Sequence, residues 1–172
     1  MGTQVVSPQN LDIALKELLV KFDKETERDA AMVVRETMKN MFGSIIEETP
    51  VGDFDPSHEG YTKANWQLSK GQPRRGQLNK RMPKRTRSSL RFGSLKSVMG
   101  NTWYLANNVP WINKLEFGGY PKNVKQGTWN KRSNRFQIRS SGGFSKQAAK
   151  GMARRNTRKL KRFLELAANK VL

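Results

Sequence analysis

One stretch decides what this chain can fold around. Residues 101–119 read Asn-Thr-Trp-Tyr-Leu-Ala-Asn-Asn-Val-Pro-Trp-Ile-Asn-Lys-Leu-Glu-Phe-Gly-Gly, the densest aromatic and aliphatic block in an otherwise very basic sequence. Thr102 to Leu105 favours a strand, because β-branched and aromatic side chains suit a pleated, half-buried surface. Asn107-Asn108 break that strand, and Pro110 is placed to open a helical turn. Trp111, Ile112 and Leu115 then fall at i, i+1 and i+4, which puts three large apolar groups on one helical face. Gly118 and Gly119 end the turn with residues free to take positive φ. The expected unit is a strand, a corner, one or two helical turns and a glycine exit.

The rest of the composition sets limits around this block. A chain of 172 residues with a hydrophobic share of 35% suits a single domain, 1–172, with a small core and solvated loops. The absence of cysteine excludes a disulfide framework and a thiolate metal site, and fits a reducing compartment. No apolar run approaches the ~18–20 residues of a membrane span, and no charged-then-apolar signal opens the chain. A soluble protein with no membrane partner is expected. The net charge of +19 is uneven: residues 1–60 hold 6 Lys+Arg against 12 Asp+Glu, and residues 61–172 hold 27 against 2, Glu116 and Glu165. Such asymmetry implies different partners for the two parts, with an anionic surface facing the basic one.

The acidic helical region spans 10–48. Asn10 caps a first helix with Leu11, Leu15, Leu18 and Phe22 in register, residues 23–27 form a hinge, and a second helix carries Ala30, Val33, Val34, Met38, Met41, Phe42 and Ile45. One continuous helix over 11–47 is the alternative. Pro50 ends the run before Thr49. Asp53, Asp55, His58 and Glu59 crowd the next loop, but the spacing of a calcium loop is missing, so they are read as ordinary loop residues. Ala64, Trp66 and Leu68 alternate with polar residues as a half-buried strand opens the 61–143 sheet region.

Two basic insertions interrupt that region, at about 70–92 and 121–143. The first carries nine Lys or Arg and no acid, and reads as a flexible arm acting as an electrostatic clamp. Leu90, Phe92 and Leu95 restart a strand, with Thr102 to Leu105 as its partner. The second insertion reads as a hairpin, with Trp129 among Lys125, Lys131 and Arg132, and with Phe136 and Ile138 alternating with Arg135 and Arg139. Interleaved aromatics and cations suit single-stranded nucleic acid; a strand with its arginines on the wet side is the commoner meaning. The C-terminal helix, 150–172, turns Leu160, Phe163, Leu164, Ala167 and Val171 inward. Its first half is crowded with cations that oppose the helix dipole, a broken local rule of the kind that marks contact sites.

Three stretches in chain order carry a family resemblance. Asn107-Asn108-Val109-Pro110-Trp111 leads to Leu115-Glu116-Phe117-Gly118. Thr49-Pro50-Val51-Gly52 precedes Ala64-Asn65-Trp66-Gln67-Leu68-Ser69. Ser145-Lys146-Gln147-Ala148-Ala149-Lys150-Gly151-Met152-Ala153-Arg154 precedes the last helix. Together they resemble the tail-completion (neck, or head–tail joining) proteins of long-tailed bacteriophages. The chain departs from that pattern where Asp53 to Lys63 interrupt the glycine motif and where Ala149 replaces a proline.

The resemblance implies an α+β fold, a small antiparallel sheet packed against N-terminal helices and a C-terminal helix, with long basic loops. It implies a structural virion protein, assembled in the host cytoplasm as a ring, a hexamer with a dodecamer as the alternative. The ring would join the head connector to terminator or tail-tube proteins and let DNA pass through its lumen. The subunit interface would fall on Thr49, Pro50, Trp66, Trp103, Asn107, Asn108, Trp111, Leu115, Glu116 and Phe117. Arg74, Arg75, Lys80, Arg81, Lys84, Arg85, Arg87, Arg91, Arg154 and Arg155 would meet an acidic partner or DNA, and the acidic first third would complement the basic remainder head to tail. A basic nucleic-acid-binding protein without a ring is the alternative. No phosphate loop, cysteine nucleophile or supported carboxylate pair occurs, so no enzyme, catalytic residue, metal or cofactor is expected.

Overall fold

The computed structural model describes residues 27–52 and 55–172. The first helix expected at Leu11, Leu15, Leu18 and Phe22, its hinge up to residue 26, and Asp53 lie outside the described residues. The described chain is α+β. It runs α1 (Glu27–Glu48), α2 (Tyr61–Ala64), β1 (Gln67–Lys70), β2 (Trp103–Ala106), α3 (Ile112–Phe117), β3 (Thr128–Asn130), β4 (Arg135–Gln137), β5 (Ser140–Ser141), β6 (Phe144–Ser145), α4 (Ala153–Thr157) and α5 (Leu160–Val171). Three 3₁₀ turns, Pro56–His58, Arg87–Ser89 and Leu95–Ser97, punctuate the loops.

Helix α1 forms because Val34, Met38, Met41, Phe42 and Ile45 recur on one face, all buried, and because Glu27 and Asp29 lie in the first turn, where the dipole favours them. Its end is set locally. Pro50 removes the α conformation from Thr49, and the Thr49 hydroxyl turns back to donate to the Ile45 carbonyl at 2.6 Å. The buried Lys63 ammonium donates to the Glu47 carbonyl at 3.3 Å, which brings a cation to a C-terminus that has no basic residue of its own.

That face of α1 meets Trp66, Trp103, Leu105, Val109, Ile112, Met152 and Ala153 in the main core. A smaller cluster of Val33, Leu164 and Ala167, with Val171 at its edge, seals α1 against α5. The N-terminal and C-terminal helices thus pack on each other and over a two-stranded antiparallel sheet, β1 with β2, in the register Gln67↔Ala106 to Lys70↔Trp103. The other two sheets are also antiparallel pairs, β3 with β4 and β5 with β6.

Several expectations need correction. Residues 62–66 are all buried, because they form a helical turn and its exit rather than the start of a strand; strand pairing begins only at Gln67. Leu90, Phe92 and Leu95 do not pair with β2, whose partner is β1. Leu90 is buried, and the Phe92 ring sits 6.4 Å from Phe42 and 5.1 Å from Trp103. Leu90 and Phe92 serve the core as irregular chain between two 3₁₀ turns, and Leu95 opens the second of those turns. The C-terminal helix is broken at Arg158 and Lys159 into α4 and α5.

The first insertion is not a free arm; it is laid along the body. Asn65 Nδ2 donates to the Leu78 carbonyl at 3.1 Å and its Oδ1 accepts from the Leu78 amide at 2.6 Å. Asn108 Nδ2 donates to the carbonyls of Arg74 and Gly76 at 2.9 and 3.0 Å, and the Met82 amide donates to the Gly60 carbonyl. A Cβ at Gly60 would overlap Pro83. The asparagines flanking the sheet therefore hold a chain whose own composition could not order it.

The Trp66 indole, wholly buried, donates to the Thr49 hydroxyl at 2.7 Å. A Thr49→Val change leaves that indole N–H without a partner and should cost about 1–3 kcal/mol, lowering the melting temperature by roughly 2–4 °C per kcal/mol. Calorimetry on Thr49→Val, Trp66→Phe and the pair checks it: the double change should destabilise by less than the sum, and strict additivity would contradict the coupling.

Candidate functional site

The three stretches that carry the family resemblance lie far apart in the chain and interlock in the fold. The two halves of the second are joined to each other by the Trp66–Thr49 bond, and the first meets the second in the core, where Trp66 lies in one cluster with Val109, Ile112 and Leu115. Asn107 Nδ2 donates to the Thr62 carbonyl at 2.9 Å, and the Trp111 indole donates to the Thr62 hydroxyl at 2.7 Å. The closing contact is Glu116, which is 0% exposed. Its Oε2 accepts from the amides of Met152 and Ala153 at 2.7 and 3.0 Å, and its Oε1 accepts from the Arg154 amide at 2.6 Å. The Arg154 guanidinium donates to the Glu116 carbonyl at 2.6 Å and lies 5.3 Å from the centre of the Phe117 ring.

Glu116 is thus the cap that α4 lacks in its own sequence. A negative charge against the first amides of a helix is favourable, so the dipole conflict read at Arg154 and Arg155 is resolved inside the protomer and is no sign of a contact site. Gly151 permits the approach. Its φ is +69°, and a Cβ there would stand 2.6 Å from Glu116 Oε1.

The interface expected at the aromatic corner is thereby narrowed. Trp66, Trp103, Asn107 and Glu116 are buried, as is Thr49, and their polar or aromatic groups work within the protomer. Asn108 is half-buried and holds the basic insertion. Pro50, Trp111 and the edge of Leu115 line a cleft of about 670 Å³, walled by Val51, Tyr120 and Pro121 among others. Burial pushes the Tyr120 hydroxyl above its ordinary pKa, with Arg139 acting the other way. His58, Tyr61 and Trp111 cluster at one side, their ring centres 5.9–6.3 Å apart. Phe117 is 54% exposed and projects from the same helix as Leu115.

The charge asymmetry also works largely inside the protomer. Glu36 meets Lys170 at 2.8 Å, Glu47 meets Arg87 at 3.4 Å, and Glu48 meets Arg155 at 2.6 Å and Lys159 at 3.3 Å. Asp55 meets Lys131 at 2.8 Å, and Glu59 pairs with Arg132. Burial works against ionisation of Glu48, but hydrogen bonds from Arg155, Asn156 and Lys159 win and hold its carboxyl below the usual range. The Lys170 hydrogen bond does the same for Glu36. Asp55, bonded first by Lys131 and then by Ser57, is held far below its ordinary value.

The basic residues divide accordingly. Arg85 donates to the Ala64 carbonyl at 2.6 Å, closing the C-terminus of α2, and burial lowers its pKa. Arg87, Arg154 and Arg155 are engaged with carboxylates, and Arg91 donates to the Ser88 carbonyl. Arg74, Arg75, Lys80, Arg81 and Lys84 are exposed, and none of them has an ion pair with a described residue. They are the available part of the arm.

Sequence reasoning missed Thr62, Lys63, Glu48 and Gly151. Only Gly151 carried a signal, as a glycine directly before a helix; the others act through partners that spacing cannot reveal. No family model, curated protein or solved structure matches this chain. Among the described residues no helix is long and apolar enough to cross a membrane.

Glu116→Gln replaces an acceptor-only carboxylate by an amide whose NH₂ faces backbone donors. Denaturant unfolding should show a loss of roughly 3 kcal/mol; a change within about 0.5 kcal/mol, the size of an ordinary surface substitution, would mean the cap is dispensable. The lowered carboxyls fix the sign of the acid limb. Their stabilisation is complete above the unfolded value of 4.5 and is lost as pH falls through the depressed folded values. A Glu36→Gln/Glu48→Gln double variant should therefore lose less stability than the parent on acidification below 4.5, as read by melting temperature against pH.

Proposed function

We propose that this chain is a structural subunit of the neck of a long-tailed bacteriophage, assembling into a closed ring between the head connector and the tail. The observation that carries the reading is that the three resembling stretches meet in one core: Trp66, Val109, Ile112, Met152 and Ala153 lie in a single cluster, and Glu116 accepts from the amides of Met152, Ala153 and Arg154. The ring is proposed as a hexamer, with terminator or tail-tube proteins on one side and DNA passing through the lumen.

A closed ring needs a heterologous contact, in which two different patches of one surface meet. Helix α3 offers both. Leu115 and Phe117 are two residues apart, which on a helix turns them to opposite sides. Leu115 faces the cleft with Pro50 and Trp111, and Phe117 stands in solvent, so a concave apolar patch and a convex one point away from each other.

Electrostatics cannot hold such a ring by itself. Each added copy brings a net charge of +19, and the acids of residues 27–60 that pair do so within their own protomer. The head-to-tail complementarity expected between the acidic third and the basic remainder is therefore weak as a source of cohesion. The five exposed cations at residues 74–84 are left for acidic surfaces of the adjoining neck proteins, where complementary charge steers assembly and becomes weaker as salt is raised.

Phe117→Glu tests the contact. The residue is exposed, so its thermal stability should stay within a few degrees of the parent's, the loss being that of one cation–π contact of about 0.5–1 kcal/mol. Native mass spectrometry should show the parent as a ring, alone or with its neck partners, and the variant as monomer. A parent that stays monomeric under both conditions, or a variant that assembles as the parent does, would contradict the proposal.

A further inference from the structure

The second insertion forms a surface with its own chemistry. β3 and β4 set Trp129 directly opposite Phe136, with the rings edge to face at 5.2 Å. Both stand in solvent, at 43% and 60% exposure. Ile138 lies two residues beyond Phe136 and is 43% exposed. It lines an adjoining hollow of about 350 Å³ with Lys122, Lys125, Lys146, Ser140 and Ser141. No acidic residue lines that hollow, and none occurs anywhere between Phe117 and Leu164.

This surface is built rather than incidental. The turn of the hairpin is closed by Asn130 Oδ1, which accepts from the amides of Arg132 and Ser133 at 2.8 and 3.0 Å, and Asn134 takes a φ of +50°, which asparagine tolerates. Lys131 and Arg132 then fasten the hairpin tip to Asp55 and Glu59. Those two cations are neutralised at the back, while the rings and the three lysines remain presented.

Two kinds of ligand group are called for side by side: a dispersed anion for the lysines and flat, unpaired rings for Trp129 and Phe136. Duplex DNA supplies phosphates but keeps its base faces stacked on one another. An acidic protein supplies carboxylates without the flat faces. Single strands supply both, and base–aromatic stacking beside cations is how such strands are held without reading their sequence. We infer that this face binds single-stranded nucleic acid, with backbone phosphates in the Lys122–Lys125–Lys146 hollow and bases against Trp129 and Phe136. The inference rests on this face alone and does not require the ring.

The test is fluorescence-anisotropy titration of the full chain with labelled oligothymidylate, a mixed-sequence duplex of equal length, and polyglutamate, over a range of salt. The single strand should bind tightest. A Trp129→Ala/Phe136→Ala variant should lose about tenfold or more on the single strand and little on polyglutamate. A Lys122→Gln/Lys125→Gln/Lys146→Gln variant should lower the log–log salt slope by about 2, from roughly 0.7 per charge on single strands. A second readout needs no loss of a ring: oligothymidylate should quench the indole fluorescence of the parent, and that quenching should vanish in Trp129→Phe, where Trp66, Trp103 and Trp111 remain. Equal affinity for duplex or for polyglutamate, unchanged binding by the aromatic variant, or a fluorescence that single strand leaves unaltered would overturn the assignment.

Discussion

The fold depends on one buried charge. Glu116, at 0% exposure, belongs to the last turn of α3, yet its carboxylate lies against the first amides of α4. Burying a carboxylate is costly unless hydrogen bonds replace its water; here three backbone amides do so, and the Arg154 guanidinium adds a positive charge 3.7 Å away. The same contact gives a helix that begins with arginines the negative charge its start requires. Once α4 is fixed, the break at Arg158 and Lys159 directs α5 onto α1. Glu48 then closes the circuit by receiving Arg155, Asn156 and Lys159. The aromatic corner, the C-terminal helices and the end of α1 form one linked unit.

This arrangement changes what the charge asymmetry means. Read along the chain, an acidic third followed by a basic remainder suggests two docking surfaces. In the fold, Glu36, Glu47, Glu48, Asp55 and Glu59 each hold a cation of the later chain. The ion pairs orient the C-terminal helix, the first insertion and the hairpin against the body. What remains outward includes two basic surfaces, the five cations at residues 74–84 and the lysine hollow at residues 122–146. These differ in kind: residues 74–84 contain no aromatic side chain, whereas the second lies beside the exposed Trp129 and Phe136.

Much of the fold was legible because it is written in local chemistry. The 3.6-residue stripe of α1, its stop at Pro50, the strand–corner–helix–glycine order of residues 103–119 and the Trp129–Phe136 hairpin all follow from short-range rules. Long-range matters were not legible. Nothing in the spacing of Leu90 and Phe92 distinguishes a strand from irregular chain packed under Phe42 and Trp103. The basic insertion looked free because its anchors, Asn65 and Asn108, lie outside it. Glu116 and the early arginines of α4 each looked anomalous alone, and their complementarity appears only when residues 116 and 152–154 meet. The candidate interface was overdrawn for the same reason: large aromatic and polar motif residues such as Trp66 and Asn107 are core and scaffold, and Phe117 with the Pro50–Trp111 cleft is what the fold leaves accessible.

The protein proposed here would be a passive collar, its motif residues holding its own core, its α3 presenting a convex and a concave patch, and its surplus cations left for acidic neighbours. The most direct test is a three-dimensional reconstruction of the assembly this chain forms with its neck partners. The account predicts a closed ring in which Phe117 of each copy enters the Pro50–Trp111–Leu115 cleft of the next. A complex in which the chain is a lone copy, or a ring in which Phe117 and that cleft both face open solvent, would contradict it.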